Sequence, residues 1–171
     1  MRTSRVVVLP YDSAWRDAFL KIRNEILAAV GDYALAVEHV GSTSVEGLCA
    51  KPCIDIDLVI ADYTDFEAVV HGLSGIGYYR EGDLGISGRE AFGYTDKPHL
   101  MAHHLYVCTR DSSELKRHLT FRDYLRENPS ALRRYGEVKM RAAQLFPDDI
   151  DGYIEYKSRC IIQLYRECGL E

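Results

Sequence analysis

The stretch Glu38-His39-Val40-Gly41-Ser42-Thr43-Ser44-Val45-Glu46-Gly47-Leu48-Cys49-Ala50-Lys51-Pro52-Cys53-Ile54-Asp55-Ile56-Asp57-Leu58-Val59 decides the fold. Its second half alternates apolar and acidic residues, the signature of a β-strand. On a strand, residues i and i+2 share a face, so Asp55 and Asp57 point one way and Ile54, Ile56 and Leu58 the other. Two neighbouring carboxylates repel, and a divalent cation removes that cost. Hard oxygen ligands suit magnesium or manganese, which complete their shells with water and substrate phosphates. The competing explanation is an edge strand with two solvated aspartates. The apolar residues around them argue for a central strand, where unpaired charge is costly.

Upstream, Gly41-Ser42 follows the strand candidate Ala34 to Val40. Glycine at such a turn lets the backbone approach a ligand closely. Ser42, Thr43 and Ser44 offer hydroxyls and N–H groups at a turn expected to continue helically through Val45 and Leu48, a place that favours an anion. Twelve residues separate Ser42 from Asp55.

Outward from this centre, Val6 to Leu9 reads as a first strand stopped by Pro10. Asp12 or Ser13 caps a helix to about Val30, with Trp15, Phe19, Ile22 and Ile26 on one face. Asp62 or Thr64 caps a helix to about Leu73. Tyr78 to Arg80 and Glu90 to Tyr94 are hairpin partners around a glycine-bearing loop, and His103 to Cys108 is another strand. Three helices follow: Ser112 to Glu127, Ser130 to Leu145, and Asp149 to about Cys168. The expected class is α+β: a mixed sheet flanked by helices over about residues 1–110, with a helical region over about 111–171, in one domain.

The bulk numbers narrow the function. The formal net charge is −5, which speaks against a general nucleic-acid surface. No apolar run reaches the roughly 20 residues that span a bilayer, and the first residues lack the pattern of a signal peptide, so the expected place is the cytoplasm. Five cysteines without C-x-x-C spacing read as free thiols.

Taken together, Val40-Gly41-Ser42 and Asp55-Ile56-Asp57-Leu58 resemble the polymerase-β-like nucleotidyltransferases, which carry a Gly-Gly or Gly-Ser turn and then Asp-hydrophobic-Asp-hydrophobic. The chain is more closely similar to the GrpB family. That resemblance runs from Val8-Leu9-Pro10-Tyr11-Asp12-Ser13-Ala14-Trp15 through the quoted stretch, Gly88-Arg89 and His104-Leu105-Tyr106-Val107. It continues in Phe121-Arg122-Asp123-Tyr124-Leu125-Arg126, Tyr135 and Lys139. It implies a nucleotidyltransferase-like fold and a metal-dependent transfer of a nucleoside monophosphate from a nucleoside triphosphate to an acceptor the sequence does not name. Asp55 and Asp57 are the expected catalytic pair. With His104 they are the expected ligands of magnesium or manganese. His39, Gly41, Ser42, Thr43, Lys51, Arg89 and Arg122 are the expected nucleotide-binding residues. The superfamily usually has a third carboxylate on a later strand. Here that strand reads Met101-Ala102-His103-His104-Leu105-Tyr106-Val107, without an acid. A module that binds a phosphate ligand without turnover, or a metal-dependent phosphohydrolase, is the alternative.

Overall fold

A computed structural model describes residues 5–171. Helix α1 (Ala14–Val30) leads into β1 (Ala34–Val40). A single tight helical turn at Ser42–Ser44 precedes β2 (Ile54–Ile60). Then come α2 (Phe66–Ser74), β3 (Tyr78–Gly82), β4 (Glu90–Tyr94) and β5 (His103–Thr109). Three helices close the chain: α3 (Ser113–Glu127), α4 (Pro129–Leu145) and α5 (Ile150–Glu167).

The five strands form one mixed sheet in the order β1-β2-β5-β4-β3. β2 is central as its sequence demands, antiparallel to β1 and parallel to β5. The hairpin β3–β4 pairs Tyr78 with Tyr94 and joins β5 through β4.

The alternation of β2 sorts the sheet into two faces. Ile54, Ile56, Leu58 and Ile60 pack with Leu105 and Val107 of β5 against Trp15, Phe19, Ile22 and Ile26 of α1 and Phe66, Val69 and Leu73 of α2. The other face carries Asp55, Asp57 and Val59 on β2 opposite His104, Tyr106 and Cys108 on β5. Helix α3 covers its far end, where Val59, Cys108 and Leu115 pack with Ala36 and Leu119. A third apolar cluster ties the Gly-Ser loop to the C-terminal helices through Val45, Leu48, Leu125, Tyr135 and Leu164.

The first expected strand does not form. The Val6 N–H donates to the Pro147 carbonyl at 2.8 Å, and Leu9 makes an isolated bridge to Ala50. The segment divides its backbone bonds between two distant loops, so it adds no strand to the sheet. The turn after Gly41 is also shorter than expected, ending before Val45. Helix α2 begins at Phe66, because the Asp62 carboxylate is engaged by the Thr64 N–H in a preceding turn. All five cysteines are free thiols, as read. Among the described residues, no helix is long and apolar enough to cross a membrane.

Candidate functional site

The second face holds the two aspartates, Asp55 toward its open end and Asp57 buried beneath α3, and each has its own histidine. The His104 Nδ1–H donates to Asp55 Oδ1 at 3.0 Å, directly across the β2–β5 ladder. The hydrogen bond to Asp55 raises the His104 imidazole to about 10. Cys53 places its sulfur 3.9 Å from both ring nitrogens of His104. Deeper in, Asp57 is 1% exposed, and the His118 Nδ1–H of α3 donates to its Oδ2 at 2.6 Å. Burial pushes the Asp57 carboxyl up, and the His118 bond works against that rise. Burial likewise opposes charge on His118, but the hydrogen bond to Asp57 and the nearby carboxylates outweigh it and raise the imidazole.

Gly41 meets Asp55 at the mouth of the site. Its φ of +72° lies in the left-handed region, where a side chain is strained. A Cβ there would also sit 2.3 Å from Asp55 Oδ2. Two independent constraints therefore require glycine. The loop is held by the Ser44 hydroxyl, which donates to the Gly41 carbonyl at 2.5 Å. Behind it Tyr135 of α4 is buried, and Ser42 beside it bears on its hydroxyl.

Three cations surround the carboxylates. The Arg89 guanidinium lies 4.1 Å from the centre of the Tyr106 ring, and its charge bears on Asp57. Its Nε is buried without a hydrogen-bond partner. Gly88, at φ +92°, and the Ser112 hydroxyl, which donates to the Gly88 carbonyl at 2.6 Å, fix the loop that presents it. Lys139 of α4 is 3% exposed and donates to the Cys49 carbonyl at 2.7 Å. Burial lowers its ammonium to about 7, partly offset by Cys49 and Asp55. Lys157 of α5 is lowered by burial too, and the Asp55 charge works against that fall. Both lysines thus belong to the electrostatic surroundings of Asp55.

The expected nucleotide-binding residues divide. Gly41, Ser42 and Arg89 lie around the aspartates. His39 does not, because β1 alternates: Glu38 pairs with Asp57 and His39 with Ile56, so His39 faces α1. There it stacks on Phe19 at 4.6 Å and bonds Thr43 Oγ1 at 2.9 Å. Burial holds its imidazole down at about 4. His39 and Thr43 line a separate cavity of about 570 Å³ with Arg16 and Arg126. Arg122 is already engaged: Nη1 donates to Glu38 at 2.8 Å and to the His39 carbonyl at 3.1 Å, and Nε donates to Asp123. It braces β1 against α3. Lys51 is exposed beside Cys53 and His104 on a neighbouring groove.

Asp55, Asp57 and His104, the expected metal ligands, share one face, yet the carboxylates turn to separate imidazoles. Among the described residues no three His, Cys, Asp or Glu side chains are gathered as a metal cluster. The donor set still suits a hard cation: two carboxylates side by side, one of them buried at a cost that a cation would relieve. The site residue that the sequence reading misses is His118. The few apolar residues of α3 divide between two clusters, so periodicity does not single out His118 as the residue that meets the carboxylate. Lys157 was missed for a similar reason, as one charge on an amphipathic helix.

The chain belongs to the GrpB family: the model described as GrpB protein matches residues 5–167. It is 37% identical over 167 residues to a UPF0157 protein of Halalkalibacterium halodurans, covering 96% of this chain and 83% of that protein. The crystal structure of the conserved protein GrpB from Enterococcus faecalis aligns at a TM-score of 0.82 and 35% identity, over 95% of this chain and 96% of that one. A Cid1 poly(U) polymerase structure aligns with 77% of this chain and 45% of its own at 10% identity and a TM-score of 0.43, a likeness too distant to carry function. The chain spans between 45% and 83% of the length of the first curated relatives it matches.

Proposed function

We propose that this chain binds a nucleoside triphosphate with a divalent metal at the Asp55/Asp57 face, and transfers the nucleoside monophosphate to an acceptor hydroxyl. The observation that carries this reading is the charge pattern: two carboxylates on one face, Asp55 pressed against a glycine turn, faced by Arg89 with a buried Nε that lacks a partner. An orphaned buried donor is costly, and a phosphate oxygen is the acceptor this one lacks. Asp55 and Asp57 would hold magnesium or manganese, which would supply positive charge to neutralise the phosphates.

The remaining work falls to the chain itself. Gly41 and Ser42 bring backbone N–H groups to the phosphates. Arg89, Lys139 and Lys157 supply positive charge in a partly desolvated site, where it counts for more than in water. In the transfer the acceptor oxygen bonds to the α-phosphorus, the α–β bridging bond breaks, and pyrophosphate leaves with the electron pair. The hydroxyl proton passes to water. A panel of nucleoside triphosphates with magnesium or manganese tests this by pyrophosphate release.

One observation favours a second reading, a module that binds without turnover. The position on β5 opposite Asp55 is His104, and the one opposite Asp57 is Tyr106, so β5 brings no third carboxylate. Tight metal-dependent binding with no pyrophosphate released selects the module. Free phosphate released from the same panel selects a phosphohydrolase.

A further inference from the structure

Beside the acid site lies a groove that shares His104 with it. Across the sheet, Asp55 pairs with His104 on β5, and on the hairpin Gly93 pairs with Tyr79. Because Phe92 is opposite Leu105, the next position, Gly93, falls level with His104. One row of the sheet therefore runs Asp55, His104, Gly93, Tyr79. A cavity of about 670 Å³ lies along it, with Cys53 and His104 in its wall at one end, Tyr79 and Gly93 at the other, and Arg5 and Lys51 as its exposed cations.

The far end is built around a ring. A Cβ on Gly93 would fall 2.7 Å from the Tyr79 ring and 2.7 Å from Glu81 Oε1. Glycine at 93 thus allows the ring to lie against the strand. Tyr79 is still 51% exposed as a residue. A tyrosine held against backbone, half in solvent and with no aromatic neighbour among the described residues, is a stacking platform for a planar ring. Arg5 and Lys51 favour an anionic group on the same molecule. The volume falls within the range of small-molecule sites.

Resting on the transferase reading above, we propose that this groove is the acceptor site and takes a mononucleotide. The heteroaromatic base stacks on Tyr79, the phosphate faces Arg5 and Lys51, and the sugar lies toward His104 and Asp55. The groove then delivers the acceptor hydroxyl to the metal-bound triphosphate from the open side of the sheet.

The test titrates AMP and, separately, ribose 5-phosphate into the protein in EDTA, so that no metal draws phosphate to the aspartates. Wild type, Tyr79→Phe, Tyr79→Ala and Lys51→Gln are compared, each with a thermal melt to establish folding. AMP is expected to bind at least ten-fold tighter than ribose 5-phosphate. Tyr79→Ala is expected to weaken AMP about ten-fold, on the scale of one lost base–aromatic stack, and Tyr79→Phe to keep it. Lys51→Gln, which leaves the sheet untouched, is expected to weaken both probes. Equal affinity for the two probes, no AMP binding, or unchanged binding to Tyr79→Ala overturns the proposal. A manganese-dependent titration with a non-hydrolysable triphosphate on the same variants separates the two sites. Tyr79→Ala is expected to retain that binding, and loss of both ligands together would put AMP at the aspartates and overturn the groove.

Discussion

The two faces of one sheet follow opposite rules. On the α1/α2 face every inward position of β2 is aliphatic and fully buried: Ile54, Ile56 and Leu58 are each 0% exposed. One residue away along the same strand, Asp55 and Asp57 sit on a face that α3 closes from the Val59 and Cys108 end as far as Asp57, leaving Asp55 at the open end. The closed face holds the fold together through area removed from water. The open face keeps charge in place with histidines, cations and a glycine, an arrangement that comes at some expense to stability. Substitutions should therefore split cleanly by face.

The largest effect expected is on the closed face. Ile56→Ala should cost about 3 kcal/mol in urea unfolding, the usual result of a cavity at a fully buried site. It should leave triphosphate binding close to wild type in whatever protein remains folded. The next effect crosses between the faces. His118→Leu leaves the Asp57 carboxylate buried without its donor and should cost about 2 kcal/mol at pH 7. The same urea series detects it, and the double variant with Asp57→Asn should recover much of that loss.

Gly41→Ala comes next. Its Cβ meets the Asp55 carboxylate and its φ is unfavourable for alanine, so stability should fall by about 1 kcal/mol. Triphosphate binding by calorimetry should fall by more than ten-fold, because the new methyl sits on Asp55 Oδ2. An unchanged affinity would show that the turn does not shape the site.

The last expected effect is in the pH dependence. Burial lowers the Lys139 ammonium to about 7 from its ordinary 10.5. Between those values the unfolded chain holds the proton more tightly than the folded one, so stability rises with pH across that window and is lowest below it. Lys139→Met should flatten this part of the wild-type curve. Chemical denaturation at several pH values between 7 and 10 measures the difference.

The sequence made the closed face legible and half of the open one. The periodicities of α1, β2 and β5 translate directly into structure because burial enforces them. Asp55, Asp57 and Gly41 were legible because their spacing along one strand and one turn is local. Val6 to Leu9 looked like a strand because propensity does not say where backbone partners are. His39 was assigned to the nucleotide for its nearness in sequence, but strand alternation turns it to α1. His118, Lys139 and Lys157 reach the site from helices 60 or more residues downstream, and their place depends on how α3, α4 and α5 pack, which no short-range pattern encodes.

The central claim is that the Asp55/Asp57 face is a metal-dependent triphosphate site. Calorimetric titration of a non-hydrolysable nucleoside triphosphate into wild type and Asp55→Asn, each with manganese and with EDTA, tests it most directly. The account predicts binding by wild type only with manganese, and none by Asp55→Asn under either condition. Binding that is the same with and without the metal, or that survives Asp55→Asn intact, would contradict it.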